Sequence, residues 1–270
     1  MSDYELVHAY ETVNLQRAGG AARIELNRPD RMNAWEATLT RDLRAALAHV
    51  AEDDTLRAVL LTGAGRGFCS GADLSAGFDP TPSGKPDLQT SLRERYHPVI
   101  TTIRELPKPV VAAVSGGAVG VGCSLALACD LVLAAESAYF LLAFVNIGLV
   151  PDGGSSAFIP ARIGLTRAIE MAMLGERVHG PQALAWGLVN TVHPDAELAG
   201  AADALVARLA AGPTLSYAGA KRQFNAWAYR ALEEQLELEA AIQQEQAVTH
   251  DFVEGVTAFL QKRPAAFEGR

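Results

Sequence analysis

Apolar positions in this chain come in short blocks punctuated by glycine and proline, and their spacing changes along its length. Residues 10–17 and 22–26 read as a pair of strands around a Gly19-Gly20 turn, and Asn27-Arg28-Pro29-Asp30 then breaks the pattern. Trp35, Leu39, Leu43, Leu47 and Val50 fall near helical spacing, which predicts a helix with one buried face. Residues 57–62 form a short apolar strand that runs into a glycine-rich loop, and 78–86, rich in proline and glycine, reads as a mobile loop. A helix is expected over 91–106, a buried strand over 109–114, a small-residue helix ending near Ala128, and a strand over 131–134. This repetition of strands and helices predicts a layered α/β fold. From about Pro194 the pattern turns helical throughout (195–211, 213–229, 232–248 and 252–261), so the chain divides into a core over 1–194 and a helical appendage over 195–270.

Composition narrows the partners. With 49% hydrophobic and 20% charged residues among 270, the chain is long enough to bury a substantial core. A net charge of −8 with no long basic run argues against nucleic acid or an anionic membrane surface. The start, Met1-Ser2-Asp3-Tyr4-Glu5, lacks the basic and apolar regions of a secretory signal, and the apolar stretch around 110–128 is broken by serine and glycine. Cys69, Cys123 and Cys129 form no CxxC pair, which suits reduced thiols in a cytoplasm, and the six histidines show no metal-ligand spacing. No metal is expected.

Candidate chemistry sits in three segments. Gly63-Ala64-Gly65-Arg66-Gly67-Phe68-Cys69-Ser70-Gly71-Ala72-Asp73-Leu74 and Ser115-Gly116-Gly117-Ala118-Val119-Gly120-Val121-Gly122-Cys123 each follow a strand. Two such loops at neighbouring strand ends could each aim a backbone N–H at one oxygen, although each alone is also a plausible structural turn. Phe68 and Leu125 stand where a dinucleotide fingerprint needs its third glycine, and no Gly-Lys-Ser/Thr occurs for a P-loop. Gly122-Cys123-Ser124-Leu125-Ala126 imitates a nucleophile elbow but lacks its final glycine, and no triad partner is evident. The third segment, Phe144-Val145-Asn146-Ile147-Gly148-Leu149-Val150-Pro151-Asp152-Gly153-Gly154, carries a carboxylate on a turn.

These segments, with Leu26-Asn27-Arg28-Pro29, Asn33-Ala34 and Pro107-Lys108-Pro109-Val110, resemble the crotonase (enoyl-CoA hydratase/isomerase) superfamily over nearly the whole chain. Within it, the nearest likeness is to Δ3-Δ2-enoyl-CoA isomerases and the ring-epoxide isomerases of phenylacetate breakdown. The resemblance implies a spiral of ββα turns followed by helices that build a homotrimer or a dimer of trimers. It implies an acyl-CoA thioester whose carbonyl oxygen lies between the N–H groups of Ala72 and Val121, with coenzyme A entering as part of the substrate and no separate cofactor. The CoA and acyl channel would involve Asp30, Arg31, Ala34, Ser70, Asp73, Leu74, Gly120, Ser124 and Phe144, with Phe259 and Lys262 reaching the adenine end.

Family hydratases carry two glutamates, at positions held here by Ser124 and Phe144, neither of which can exchange a proton near neutral pH. Asp152 remains, as acid/base or as N-cap of a helix starting near Ser155. One carboxylate suffices for a 1,3-proton shift through a thioester dienolate. The apolar Phe140, Leu141, Leu142, Phe144, Val145 and Ile147, if they face the acyl chain, would exclude water and raise the Asp152 pKa. A hydratase using Asp152 alone and an inactive acyl-CoA-binding homologue are the alternatives.

Overall fold

The computed structural model describes residues 4–270; Met1 to Asp3, the beginning of the leading segment read above, lie outside them. Strands β1 (Glu5–Ala9), β2 (Val13–Ala18) and β3 (Ala21–Leu26) form an antiparallel meander. Gly19 at the β2–β3 connection adopts φ +58°, the left-handed value that such a two-residue turn takes at its first position. β1 was not apparent in the sequence: it is a bulged edge strand, mostly exposed, so no apolar face marks it.

Helix α1 (Ala37–Glu52) buries Leu39, Leu43, Leu47 and Val50 against β2 and β3. The Glu36 carboxylate caps it, accepting from the N–H groups of Thr38 (2.8 Å) and Leu39 (3.0 Å). Trp35 precedes the helix, and its indole N–H donates to Thr40 Oγ1 at 2.8 Å. Asn33, fully buried at φ +54°, explains the motif it belongs to. Its side chain accepts from the Arg28 N–H (2.9 Å) and donates to the carbonyls of Ala64 (3.0 Å) and Gly67 (2.8 Å), tying the opening turn to the first glycine loop.

Strand β4 (Ala58–Gly63) pairs parallel with β3. The 78–86 segment is bonded within itself: Thr81 N–H donates to Lys85 O at 2.7 Å, Pro80 and Pro86 bridge, and Asp87 N–H closes the base on Asp79 O at 2.7 Å. The helix expected over 91–106 is interrupted. α2 (Leu88–Ser91) and α3 (His97–Glu105) flank a π-helical turn, Leu92–Tyr96, of the kind often found at functional sites.

Strand β5 (Val110–Val114), buried throughout, leads through the short β6 (Gly117–Val119) into α4 (Val121–Ala128), then β7 (Leu131–Ala135) and β8 (Tyr139–Leu141). Helix α5 (Ser155–Leu174), β9 (Val178–His179), α6 (Gly180–Trp186) and β10 (Thr191–His193) follow. The larger sheet has the order β1-β2-β3-β4-β5-β7-β10, parallel from β3 onward; the smaller is β6-β8-β9. Continuous burial of β5 is what a parallel strand covered on both faces requires. The fold is thus a mixed α/β assembly of successive strand–strand–helix turns.

The four C-terminal helices are α7 (Leu198–Ala211), α8 (Thr214–Ala228), α9 (Leu232–Gln246) and α10 (His250–Gln261). They are not uniformly an appendage. α7 lies on β3, β4, β5, β7 and β10, with Asp203 paired to Arg23 at 2.6 Å, whereas α9 runs against α2 and α5. Among the described residues no helix is long and apolar enough to cross a membrane, and no cluster of His, Cys, Asp and Glu is arranged to hold a metal.

Candidate active site

The two glycine loops are locked together by backbone pairing. Cys69 N–H donates to Gly117 O at 3.1 Å and Val119 N–H to Cys69 O at 2.9 Å. Gly71, at φ +89°, approaches so closely that a Cβ there would lie 2.9 Å from the Val119 carbonyl oxygen. On the far side, Trp35 N–H bonds Gly71 O (2.7 Å) and Asp73 N–H bonds Trp35 O (3.0 Å). This pairing leaves the intervening Ala72 N–H without an acceptor among the described residues. Val121 opens α4, so its N–H has no intrahelical partner, and the helix N-terminus favours negative charge beside it. Ala72 and Val121 line the same cavity.

Asp152 stands across from them on a turn that needs left-handed backbone at Gly153 (φ +63°) and Gly154 (φ +83°). A Cβ on Gly153 would meet Val121 Cγ2 at 3.2 Å, so this turn rests on the start of α4. Ser124, fully buried, does not reach the cavity; its hydroxyl donates to the Asp152 carbonyl at 2.7 Å and fixes the turn's backbone. Asp152 is only 5% exposed. Its Oδ2 accepts from Gln243 Nε2 at 2.7 Å, while Oδ1 has no partner. Burial, reinforced by the nearby Glu239 carboxylate and opposed by the Gln243 hydrogen bond, pushes the Asp152 carboxyl up to about 8.

The N-cap reading of Asp152 is corrected here. Helix α5 starts after Gly154; Glu239 receives Gly154 N–H at 2.8 Å, Ser156 N–H at 3.0 Å and the Ser156 hydroxyl, while Ser155 N–H goes to the backbone carbonyl of Asp152 at 3.2 Å. Burial raises Glu239 to about 7 against those hydrogen bonds. The Asp152 side chain is therefore released from capping duty.

The cavity, of about 490 Å³, is predominantly apolar. Trp35, Leu74, Phe78, Tyr96, Leu141, Phe144, Ile147 and Leu149 supply its walls. Phe78 packs edge-on to Phe252 with ring centroids 5.4 Å apart, and Asp79 forms an ion pair with Arg95, so the 78–86 segment is fastened over one side. The Tyr96 hydroxyl takes no hydrogen bond among the described residues, and its ring meets Trp35 edge-to-face at 5.1 Å. Burial and the Asp152 charge both raise its pKa.

Of the residues singled out in the sequence, Ser70, Ala72, Asp73, Leu74, Gly120, Val121, Phe144, Asp152 and Phe259 line this cavity. Asp30, Arg31, Ala34, Ser124 and Lys262 do not. Asp30 and Arg31 sit exposed on a 3-10 turn behind Ser70, and the Ala34 carbonyl is taken by the Arg28 guanidinium. Lys262, the left-handed C-cap of α10, is exposed; its neighbour Arg263 reaches the lining, paired with Glu254. Phe140 and Leu142 are core residues, and Val145 lies outside the lining, so only part of that apolar run faces the cavity. Trp35, Arg95, Tyr96, Glu239 and Gln243 were not foreseen as site residues. Only Trp35, near the opening motif, carried a hint.

Residues 16–270 match the model of the enoyl-CoA hydratase/isomerase family. A Rhodobacter capsulatus protein named "probable enoyl-CoA hydratase" is 44% identical over 97% of this chain and 100% of its own length. The 1,2-epoxyphenylacetyl-CoA isomerase of Escherichia coli is 41% identical, covering 93% of this chain and 96% of its own. The solved structure of an enoyl-CoA hydratase from Mycobacterium avium subsp. paratuberculosis superposes with a TM-score of 0.86 at 38% identity, over 96% of this chain and 100% of that one. The chain belongs to the enoyl-CoA hydratase/isomerase family.

Proposed function

We propose that the protein is an acyl-CoA double-bond isomerase with Asp152 as its acid/base. The observation that carries this reading is the buried carboxylate of Asp152, which leaves one oxygen unpartnered in the cavity, whereas Asp73 is held by Arg28 and Ser75, Glu36 caps α1, Ser124 is turned away and Phe144 is a hydrocarbon wall. The thioester oxygen of a 3-enoyl-CoA binds the Ala72 and Val121 N–H groups. Ionised Asp152 takes a proton from C2, giving a dienolate whose charge collects on that oxygen. Each well-aimed N–H contributes roughly 2.7–4 kcal/mol to the transition state. Asp152, now neutral, returns the proton to C4 and yields the conjugated 2-enoyl-CoA. The buried apolar surroundings keep Asp152 near the operating pH, which suits a group that must both take and give a proton.

The name of the Rhodobacter capsulatus relative favours a second reading, a hydratase. One assay separates the two: 3-enoyl-CoA is supplied in deuterated water while the conjugated thioester absorbance and the products are followed. Isomerisation gives 2-enoyl-CoA with no 3-hydroxyacyl-CoA. Accumulation of the hydroxy product would overturn the proposal.

The pH profile is a further expected result. Only ionised Asp152 removes the C2 proton, so kcat/KM of the free enzyme should climb with pH and level off above about 8. A rate already flat from pH 6 upward would assign the base to another group. We also propose that the strongly exposed Leu215, Phe224 and Trp227 on α8 are covered in a trimer, which should sediment at three times the 28.6 kDa chain mass.

A further inference from the structure

The catalytic turn is gripped from both sides by one face of a helix distant in sequence. Glu239 and Gln243 lie four residues apart on α9, hence on the same face, and are 3% and 1% exposed. On one side Glu239 receives Gly154 and Ser156; on the other Gln243 spans the residues before and at the acid. The Gln243 amide has no freedom to flip. Its Oε1 accepts the Val150 N–H at 3.3 Å, which obliges Nε2, a donor only, to face Asp152 Oδ2 at 2.7 Å. Burying a primary amide is costly unless both ends are bonded, and a leucine or methionine would fill the same space without that demand. An amide held so that it can only donate discriminates between the two forms of its neighbour, because an ionised carboxylate accepts more strongly than a neutral acid.

We propose that Gln243 is a positioning residue for the reaction: it holds Asp152 in one orientation, occupying Oδ2 so that Oδ1 is the oxygen that exchanges the proton, while Glu239 anchors the turn. The inference rests on the isomerase reading for its kinetic consequences and on geometry for the rest. The groups around Asp152 set the background. Tyr96 approaches from the π turn and Glu239 from α9, with Arg95 and Asp73 further along the cavity wall. Among the described residues no Lys, Arg or His forms an ion pair with Asp152. Gln243 is therefore the donor that favours its charged state.

The test compares Gln243→Met, which keeps length and burial but removes the amide, with wild type across pH. Loss of a hydrogen bond to a charged group should move the ascending limb of kcat/KM upward by roughly one to two pH units. At pH 7 kcat/KM should fall by roughly tenfold to a hundredfold, and the deficit should narrow as pH rises. A merely structural role would lower activity by the same factor at every pH, and that result overturns the proposal. So does an unmoved limb with unchanged kcat. Gln243→Leu guards against misfolding of the first variant: it fills the space with a different apolar side chain and also lacks the amide, and the limb should again move upward.

Infrared titration of the Asp152 carboxyl band, assigned by its loss in Asp152→Asn, gives a readout independent of turnover. If wild type fails to isomerise 3-enoyl-CoA yet the band titrates higher in Gln243→Met, the isomerase reading falls and the positioning role stands. If turnover is normal and the band does not move, the positioning role falls alone.

Discussion

Replacing Asp152 by asparagine should cost a hundredfold or more in 3-enoyl-CoA isomerisation, roughly the contribution of one acid–base group. The folded protein should survive the change, and at alkaline pH should gain from it. Asp152 titrates near 8 in the fold against an ordinary value of 3.8, so between those limits the folded state holds a proton that the unfolded chain releases. The resulting stability is complete below about pH 4, declines as pH rises through about 8, and is gone above. Asparagine has no such dependence. Thermal unfolding of both forms from pH 4 to pH 9 should therefore show the variant overtaking wild type as pH increases. Equal activity in the two proteins would remove Asp152 from the mechanism, and parallel stability curves would contradict its burial as a neutral acid.

Gly71→Ala should be nearly as damaging, through the other half of the site. Gly71 combines φ +89° with a Cβ position 2.9 Å from the Val119 carbonyl oxygen, so an alanine must push the two glycine loops apart. The adjacent Ala72 N–H would move off the thioester oxygen. Loss of one such donor costs roughly 10²–10³ in kcat. Gly19→Ala is the appropriate control, since Gly19 also has positive φ (+58°) but nothing within 4 Å of its Cβ position. It should show a small loss of stability and unchanged kcat. Comparable kcat in all three proteins would mean that Ala72 contributes nothing to the transition state.

The sequence revealed the elements whose burial is one-sided or complete. α1 with its Leu39-Leu43-Leu47 stripe, the fully apolar β5, and the glycine loops after β4 and β5 were all legible, because periodicity and glycine have local causes. What stayed hidden has non-local causes. β6, β8, β9 and β10 are two or three residues long and exist only through their partners in the two sheets. Asp152 stood out as a carboxylate on a glycine turn, but its freedom from capping depends on Glu239, 87 positions away in the numbering. α9 is so rich in Glu and Gln that nothing local distinguishes the buried Glu239 and Gln243 from the exposed Glu237 on the same helix. Tyr96 and Arg95 were masked by the assumption of regular helix through a π turn, which changes which side chains point inward.

The α9 clamp also orders events during synthesis. Both glycine loops and Asp152 leave the ribosome well before Glu239 and Gln243. A nascent chain can therefore carry both loops while its acid swings free, and a competent centre assembles only once α9 has emerged and docked. Products truncated before α9 would lack both the clamp and one wall of the cavity and would be expected to be inert, not unregulated catalysts.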